Sequence, residues 1–150
     1  MTFKHTSLLI AVDDSTSAGR ALDFGLDLAE TLRLPVRVVH ATRPSSMRPG
    51  EVRTIDLERV QEAAGGIPEY ELGAALLERA IKRAGDRRVE VEPVLLGGDP
   101  AEALIRYAAE CDRPILVVGR RGRGRLQGLL MGSVSDKTVR LAQCPVIVIN

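Results

Sequence analysis

The sequence predicts an α/β protein built on a single doubly wound, open sheet. Short runs of β-branched and aliphatic residues alternate with longer segments whose apolar residues recur at helical spacing. Turn and helix-capping residues separate the two kinds of segment. Strands joined by helical crossovers lie parallel, because the crossover returns the chain to the same end of the sheet. We therefore expect five mainly parallel strands, in the order 3-2-1-4-5, with helices on both faces.

Five apolar runs form the predicted strands. The first is continuous, as in a strand that is buried on both faces. Pro93 in the third run is typical of an edge strand, because proline cannot donate a ladder hydrogen bond. In chain order, the predicted strands are Ser7 to Val12, Val36 to Ala41, Arg88 to Leu96, Ile115 to Val118 and Val146 to Ile149.

The first two predicted helices have recognisable boundaries. One follows the capping cluster Asp13 to Ser17 and ends before Pro35, which cannot continue a helix. The next begins at Pro68 and ends at Gly85. Between them, Glu51 to Gly66 has only a weak helical pattern, and we predict that this segment is mobile or lid-like.

The third and fourth predicted helices begin with capping signals. The third has Asp99 as its N-cap, Pro100 at the first helical position and Glu102 at the third. The fourth covers Ser133 to Ala142, and its first residue forms an S-x-x-D capping pattern with Asp136.

Length and composition fit one domain and exclude several classes of protein. The 150 residues, 45% of them hydrophobic, are enough to bury one core, so we treat residues 1–150 as one domain. A net charge of +1 argues against nucleic-acid binding. There is no hydrophobic signal segment, and no apolar run approaches the roughly 20 residues that span a bilayer. We therefore expect a soluble, cytoplasmic protein that does not contact membranes.

Disulfide and metal chemistry receive no support from the cysteines and histidines. Cys111 and Cys144 are isolated thiols in apolar surroundings, so we predict that both are buried in the core. His5 and His40 are the only histidines, which excludes a multi-histidine metal centre.

The most informative segment runs from Gly119 to Ser133, between the fourth strand and the fourth helix. Backbone N–H groups in a glycine-rich turn and at a helix start converge on one point, where the helix dipole adds positive charge. Arginine side chains add donors suited to phosphate oxygens. The segment therefore predicts an anion site, with a solvated basic turn as the alternative. Its arginines are Arg120, Arg121, Arg123 and Arg125.

Two further loops are expected at the same edge of the sheet. Asp13 to Ser15 follows the first strand, and His40 to Thr42 ends the second. In doubly wound sheets, ligands bind at the carboxyl ends of the strands, where the strand order reverses. The three loops can face one crevice if the first and fourth strands are neighbours. Asp13 has an alternative role at the entry of the first helix, and neither a Ser-His-Asp set nor a P-loop is present.

Taken together, these residues resemble the nucleotide-binding signature of the universal stress protein family. The resemblance rests on the spacing of Gly119, Gly122 and Gly132-Ser133, on Asp13 after the first strand, and on Val39 to Ala41 at the end of the second. It covers essentially all 150 residues. Arg120 and Arg121 depart mildly from the family, in which small residues or histidine are often found.

The resemblance implies an adenine nucleotide, ATP, and a divalent cation, Mg²⁺ or Mn²⁺, that Asp13 would contact indirectly. Asp13 would also contact the ribose, and the backbone near His40 and Ala41 would read the adenine edge. No residue is assigned a catalytic role. The implied nucleotide-binding residues are Ala11, Asp13, Ser15, His40, Ala41, Val118, Gly119, Arg121, Gly122, Arg123, Gly132, Ser133, Val134 and Ser135.

The resulting hypothesis is a homodimeric, ATP-binding regulatory protein of the stress response. Nucleotide occupancy would order the loop at 119–132 and control the binding of a protein partner that the sequence does not identify. The strand Val146 to Ile149 would pair across a two-fold axis. Two alternatives stay open: a slow ATP-hydrolysing enzyme of the same superfamily, and a nucleotide-free interaction module whose arginine loop docks an acidic protein or RNA.

Overall fold

The computed structural model describes residues 5–58, 60, 66–121 and 131–150. Across these ranges the chain forms six strands and four helices of at least nine residues. In chain order they are β1 (Ser7–Ala11), α1 (Thr16–Leu32), β2 (Val36–Thr42), β3 (Arg53–Ile55), α2 (Pro68–Ala84), β4 (Val91–Gly97), α3 (Pro100–Glu110), β5 (Pro114–Gly119), α4 (Ser133–Leu141) and β6 (Val146–Ile149).

All six strands belong to one sheet in the order β3-β4-β2-β1-β5-β6. Apart from β3, the other five strands are parallel. Their order in the sheet, β4-β2-β1-β5-β6, matches the predicted 3-2-1-4-5, so the predicted α/β architecture is confirmed. The sequence did not predict β3, which pairs antiparallel with β4. Arg53 and Thr54 in this three-residue strand are exposed, and without an apolar run it carried no strand signal.

The short length of β3 explains the position of Pro93. The prediction of an edge strand is wrong for β4, because this strand lies between β3 and β2. However, β3 pairs only with Leu95, Leu96 and Gly97. Pro93 therefore lies in the part of β4 that has β2 alone as its neighbour in the described sheet.

Apolar side chains from both faces of the sheet form two core clusters. Alternate residues of β1 point to opposite faces, so Leu8 and Ile10 join one cluster and Leu9 joins the other. Helices α1 and α2 cover the first face, and α3 packs against the second. The unbroken apolar run of β1 follows from this double covering.

The two cysteines are only partly buried, so the prediction that they lie in the core is wrong. Cys111 is the C-cap of α3, and Cys144 lies in the turn before β6; both pack against the second cluster. These positions are at the ends of elements, where the covering of the sheet stops. Burial nevertheless raises the pKa of both thiols above the ordinary value.

All four predicted helix starts agree with the structure. Ser15, within the predicted capping cluster, is the N-cap of α1, and Pro68 is the first residue of α2. The third helix starts as predicted, with the Asp99 carboxylate accepting the backbone N–H of Glu102 at 3.1 Å. No helix in the described part of the chain is long and apolar enough to cross a membrane.

Candidate functional site

A cleft of about 280 Å³ lies at the carboxyl ends of β1, β2 and β5. Strands β1 and β5 are neighbours, so the condition for a common crevice is met at the point where the strand order reverses. Among the described residues, the cleft is lined by Ala11, Val12, Asp13, Ala18, Val39, His40, Ala41, Thr42, Arg43, Pro100, Leu104, Val118, Gly119, Arg121, Val134 and Ser135.

Most of the residues that the sequence nominated come together in this cleft. Ser15, Gly132 and Ser133 are not among the lining residues, although Ser133 directly precedes the lining Val134 and the backbone N–H of Ser15 donates to the lining Asp13. Gly122 and Arg123 lie outside the described residues. The nominated residues that line the cleft are Ala11, Asp13, His40, Ala41, Val118, Gly119, Arg121, Val134 and Ser135.

Sequence reasoning missed several residues on the β2 and α3 sides of the cleft. Arg43 directly follows β2, so the rule that nominated His40 would have found it one step later. Pro100 and Leu104 belong to α3, which follows the carboxyl end of β4 at the same edge of the sheet. The predicted strand order alone therefore indicates this side of the cleft.

The end of β1 holds a carboxylate in a defined turn. The backbone N–H of Ser15 donates to Asp13 Oδ1 at 2.8 Å, and Ser15 Oγ accepts the backbone N–H of Ala18 at 3.1 Å. Ser15 therefore caps α1, and the alternative role of Asp13 as the cap is not realised. One N–H occupies a small part of the acceptor capacity of a carboxylate, so Asp13 can still accept from a ligand.

The His40 side chain is buried and hydrogen-bonded within the fold. Its side chain is only 7% exposed, and its Nδ1 lies 2.8 Å from the carbonyl oxygen of Val12. Because a carbonyl only accepts, Nδ1 carries the proton and donates to it. A methyl group added at Gly73 of α2 would lie 2.9 Å from His40 Cδ2, so the ring is also packed tightly beneath that helix. The imidazole thus links β2 to the end of β1 and is poorly placed to act as a general base.

Gly119, at the end of β5, allows the closest packing in the cleft. A Cβ atom built on it would lie 2.8 Å from the backbone nitrogen of Ala18 and 2.8 Å from Ser17 Oγ. Contacts this short are not available to a real side chain, so glycine is required for β5 to approach the start of α1. The glycine that sequence analysis assigned to phosphate binding has this packing role as well.

The residues that flank the 122–130 segment are held together by hydrogen bonds. The backbone carbonyl of Arg120 accepts the N–H of Gly132 at 2.8 Å and Ser135 Oγ at 2.8 Å. The backbone N–H of Arg120 donates to the carbonyl of Ile149 at 2.6 Å. A phosphate group would therefore have to displace the bond to Arg120 in order to use the N–H of Gly132.

Helix α4 starts without a side-chain cap. The predicted capping box is wrong: Gly132 is the N-cap, Ser133 is the first helical residue, and no side chain within residues 5–58, 60, 66–121 and 131–150 accepts from the first turn. Asp136 pairs with Arg140 at 3.2 Å instead of reaching back. Ser135 Oγ donates to backbone carbonyls, one of them that of Gly132 at 3.0 Å. The backbone N–H groups of the first turn thus have no side-chain acceptor in the part of the chain that the structure describes, and Val134 and Ser135 from that turn line the cleft.

The charges that line the cleft alternate in sign. Arg43 follows β2, Asp13 follows β1 and Arg121 follows β5, so a carboxylate lies between two guanidinium groups in the order of the strands. Asp13 is the only acidic residue among the lining residues. In the described part of the chain, no group of three or more His, Cys, Asp and Glu residues could hold a metal ion.

The chain resembles known proteins over nearly its full length. It matches the universal stress protein family over residues 5–150. Universal stress protein YxiE of Bacillus subtilis is 28% identical over 146 residues, which covers 95% of this chain and 97% of the relative.

Solved structures share the fold. A universal stress protein from Archaeoglobus fulgidus has a TM-score of 0.72 at 27% identity and covers 98% of this chain and 100% of its own. A universal stress protein in complex with cAMP has a TM-score of 0.70 at 24% identity, with 97% of each chain covered. A family member from Arabidopsis thaliana with AMP bound has a TM-score of 0.63 at 23% identity and covers 96% of this chain and 90% of its own. Because the family match spans almost every residue and the fold agrees with it, this chain belongs to the universal stress protein family.

Proposed function

We propose that this chain is a regulatory protein that binds an adenine nucleotide, ATP, in the cleft at the carboxyl ends of β1, β2 and β5. The observation that carries the proposal is the start of α4, whose first-turn N–H groups have no side-chain cap among the described residues and whose Val134 and Ser135 line the cleft. Uncapped N–H groups and the positive end of the helix dipole favour phosphate. The structures of family members with cAMP and AMP support the choice of an adenine nucleotide.

The cleft offers suitable partners for each part of the ligand. Asp13 can accept from the ribose hydroxyl groups, and backbone groups of His40 and Ala41 can read the base. The 5′-phosphate groups then lie toward Gly119, Arg121 and the start of α4. Three or four charge-assisted hydrogen bonds, at roughly 1.5 to 3 kcal/mol each, are enough for micromolar affinity after the costs of ordering.

A divalent cation fits this site only when the phosphate groups supply most of its ligands. Mg²⁺ is commonly held by one or two carboxylates together with substrate phosphates and water. Asp13 is the one carboxylate among the residues that line the cleft, so it would hold such an ion directly or through water. The cation would therefore bind with ATP and not in advance of it.

Nucleotide occupancy would act on the segment at 119–132 and on partner binding. The flanks of this segment are held by the Arg120 carbonyl, which accepts from Gly132 and Ser135. A phosphate group that competes for the N–H of Gly132 would release one of these bonds. In this way the ligand would alter the surface that the segment offers to a partner.

A homodimer would form through β6. This strand is the last in the sheet order and, among the described strands, pairs only with β5, so its outer edge can accept a strand from a second copy. Its four residues, Val146 to Ile149, are apolar and partly exposed. Val139 and Leu141 on neighbouring α4 are 48% and 54% exposed and would extend the apolar surface.

Calorimetric titration with ATP, with and without Mg²⁺, tests the nucleotide site. We expect micromolar binding by the wild type and a loss of at least tenfold in Asp13→Asn, because the neutral amide accepts less strongly from the ribose. Asp86→Asn, an exposed position after α2, is the matched control and should bind normally. Absence of ATP binding by the wild type contradicts the proposal, and several turnovers of ATP per minute contradict a regulatory role.

A further inference from the structure

Arg43 lies at the β2 end of the cleft and has no role in the site described above. It directly follows Thr42, the last residue of β2, and its side chain is exposed at the cleft. No residue in the described ranges forms an ion pair or hydrogen bond with its guanidinium group. A guanidinium group that has no partner among the described residues and lines a cleft can take a partner that comes with the ligand.

The backbone of Arg43 is fixed on both sides. The carbonyl of Thr42 accepts the N–H of Gly98 at 2.8 Å. Pro44 on the other side is buried, its carbonyl accepts the N–H of Met47 at 3.0 Å, and a following proline restricts the residue before it to extended backbone. The guanidinium group therefore extends from an anchored point, which lowers the entropy lost when a ligand orders it.

The strand order places Arg43 at a defined distance from the phosphate end of the cleft. Neighbouring strands lie about 4.8 Å apart, so the end of β2 is about 10 Å from the end of β5, with Asp13 of the β1 end between them. A nucleoside monophosphate presents its base, ribose hydroxyls and phosphate in the same succession. With phosphate at β5 and ribose at Asp13, the base falls beside Arg43.

We propose that Arg43 is a specificity-determining residue whose guanidinium group stacks on the base of the bound nucleotide and favours purines over pyrimidines. This inference rests on the proposed function. Pro100 and Leu104 of α3 give the cleft an apolar wall, so a base can lie between that wall and the planar guanidinium group. Guanidinium stacks on aromatic faces and is weakly hydrated, and the larger purine face gains more from this contact.

The test compares AMP, UMP and ribose 5-phosphate by calorimetry and competition, on the wild type, Arg43→Gln, Arg43→Lys and a control. Arg79→Gln, at an exposed position on α2, is the matched control. We expect Arg43→Gln to weaken AMP binding roughly five- to thirty-fold, UMP less, and ribose 5-phosphate less than twofold. Arg43→Lys keeps the positive charge but lacks a planar group that can stack on the base. AMP binding by this variant should therefore stay at least threefold weaker than in the wild type.

The outcomes separate this inference from the function on which it rests. Unchanged AMP affinity in Arg43→Gln, an equal loss for AMP and ribose 5-phosphate, or full recovery in Arg43→Lys each overturn stacking while leaving nucleotide binding intact. A wild type that binds no AMP and no ATP overturns the proposed function first. Unchanged thermal unfolding of both Arg43 variants shows that any loss of affinity arises in the cleft.

Discussion

Gly119 illustrates how a single residue can serve packing and ligand binding together. Its missing side chain lets the end of β5 touch the first turn of α1, where Ala18 and Ser17 leave no room for a methyl group. The sequence identified this glycine only as part of the glycine-rich loop that predicts an anion site. The contact with α1 joins residues about one hundred positions apart, and no local pattern reports it.

Replacing this glycine gives a sharp test of the packing. We expect Gly119→Ala to lower the free energy of unfolding by roughly 1 to 3 kcal/mol, because the methyl group meets backbone atoms that cannot move aside. Gly19→Ala, in the helix beside it, meets only the flexible Arg83 side chain at 3.4 Å and should raise stability by about 0.5 kcal/mol. Urea denaturation measures both. Equal effects of the two substitutions would refute the close approach.

Cys111 and Cys144 should react slowly at neutral pH. Burial disfavours the thiolate and raises the pKa of each thiol, while Arg37 partly opposes the shift at Cys111. A thiol with a raised pKa stays protonated to higher pH, so the rate of alkylation by iodoacetamide should rise through a midpoint above about 8.5, the ordinary value for cysteine. The unfolded chain in urea supplies the reference. A native midpoint at or below that reference would contradict the burial of these thiols.

Among the helices, the start of α4 shows where local signals mislead. The spacing of Ser133 and Asp136 predicts a capping box, yet Asp136 pairs with Arg140 and the hydroxyl group of Ser135 takes the structural role. By contrast, the Asp99-Pro100 start of α3 was predicted correctly, because the Asp99 carboxylate keeps its local bond to the N–H of Glu102 even though Lys137 lies 3.6 Å from it. Helix caps are predictable where the bonds are local; in the first turn of α4, Asp136 pairs with Arg140 and Ser135 bonds to the carbonyl of Arg120, and the spacing of Ser133 and Asp136 predicts neither contact.

Two serine substitutions distinguish the capping box from the observed start of α4. We expect Ser135→Ala to lower stability by roughly 1 kcal/mol, because this residue is 2% exposed and its hydroxyl group donates to the carbonyls of Arg120 and Gly132. Ser133→Ala should change stability by less than about 0.5 kcal/mol, since Ser133 caps nothing. Chemical denaturation of both variants gives the comparison. A larger loss of stability in Ser133→Ala than in Ser135→Ala would contradict the observed start of α4 and support the capping box.

For the molecule as a whole, alternation of strands and helices was enough to predict the sheet. The five parallel strands and their order follow from the apolar runs and the handedness of the crossovers. The antiparallel strand β3 was missed because Arg53 and Thr54 carry no apolar signal, and the pairing with Leu96 and Gly97 becomes visible only when β4 is in place. Likewise, the β5 side of the cleft was predicted from motifs, whereas Arg43 and Pro100 belong to no motif and are indicated only by their positions after the carboxyl ends of β2 and β4.

The exposed edge at β6 leads to a prediction about assembly. We expect Val139→Glu combined with Leu141→Glu to shift the proposed homodimer toward monomer, because both side chains are exposed beside the edge and charges there would be desolvated in the interface. Leu72→Glu on α2, 61% exposed and away from β6, is the control. Sedimentation equilibrium measures the assembly. A wild type that is monomeric at all concentrations, or a dimer unaffected by the double substitution, would exclude this interface.

The most direct test of nucleotide binding is a titration of ¹⁵N-labelled protein with ATP and Mg²⁺, followed by backbone amide chemical shifts. If phosphate meets the start of α4, the amides of Ser133, Val134 and Ser135 should shift most, together with that of Asp13 at the ribose. Saturation of these shifts at a single micromolar constant is the expected result. Shifts that are absent, or that cluster on the outer face of α2 while the start of α4 stays unchanged, would contradict a nucleotide site in this cleft.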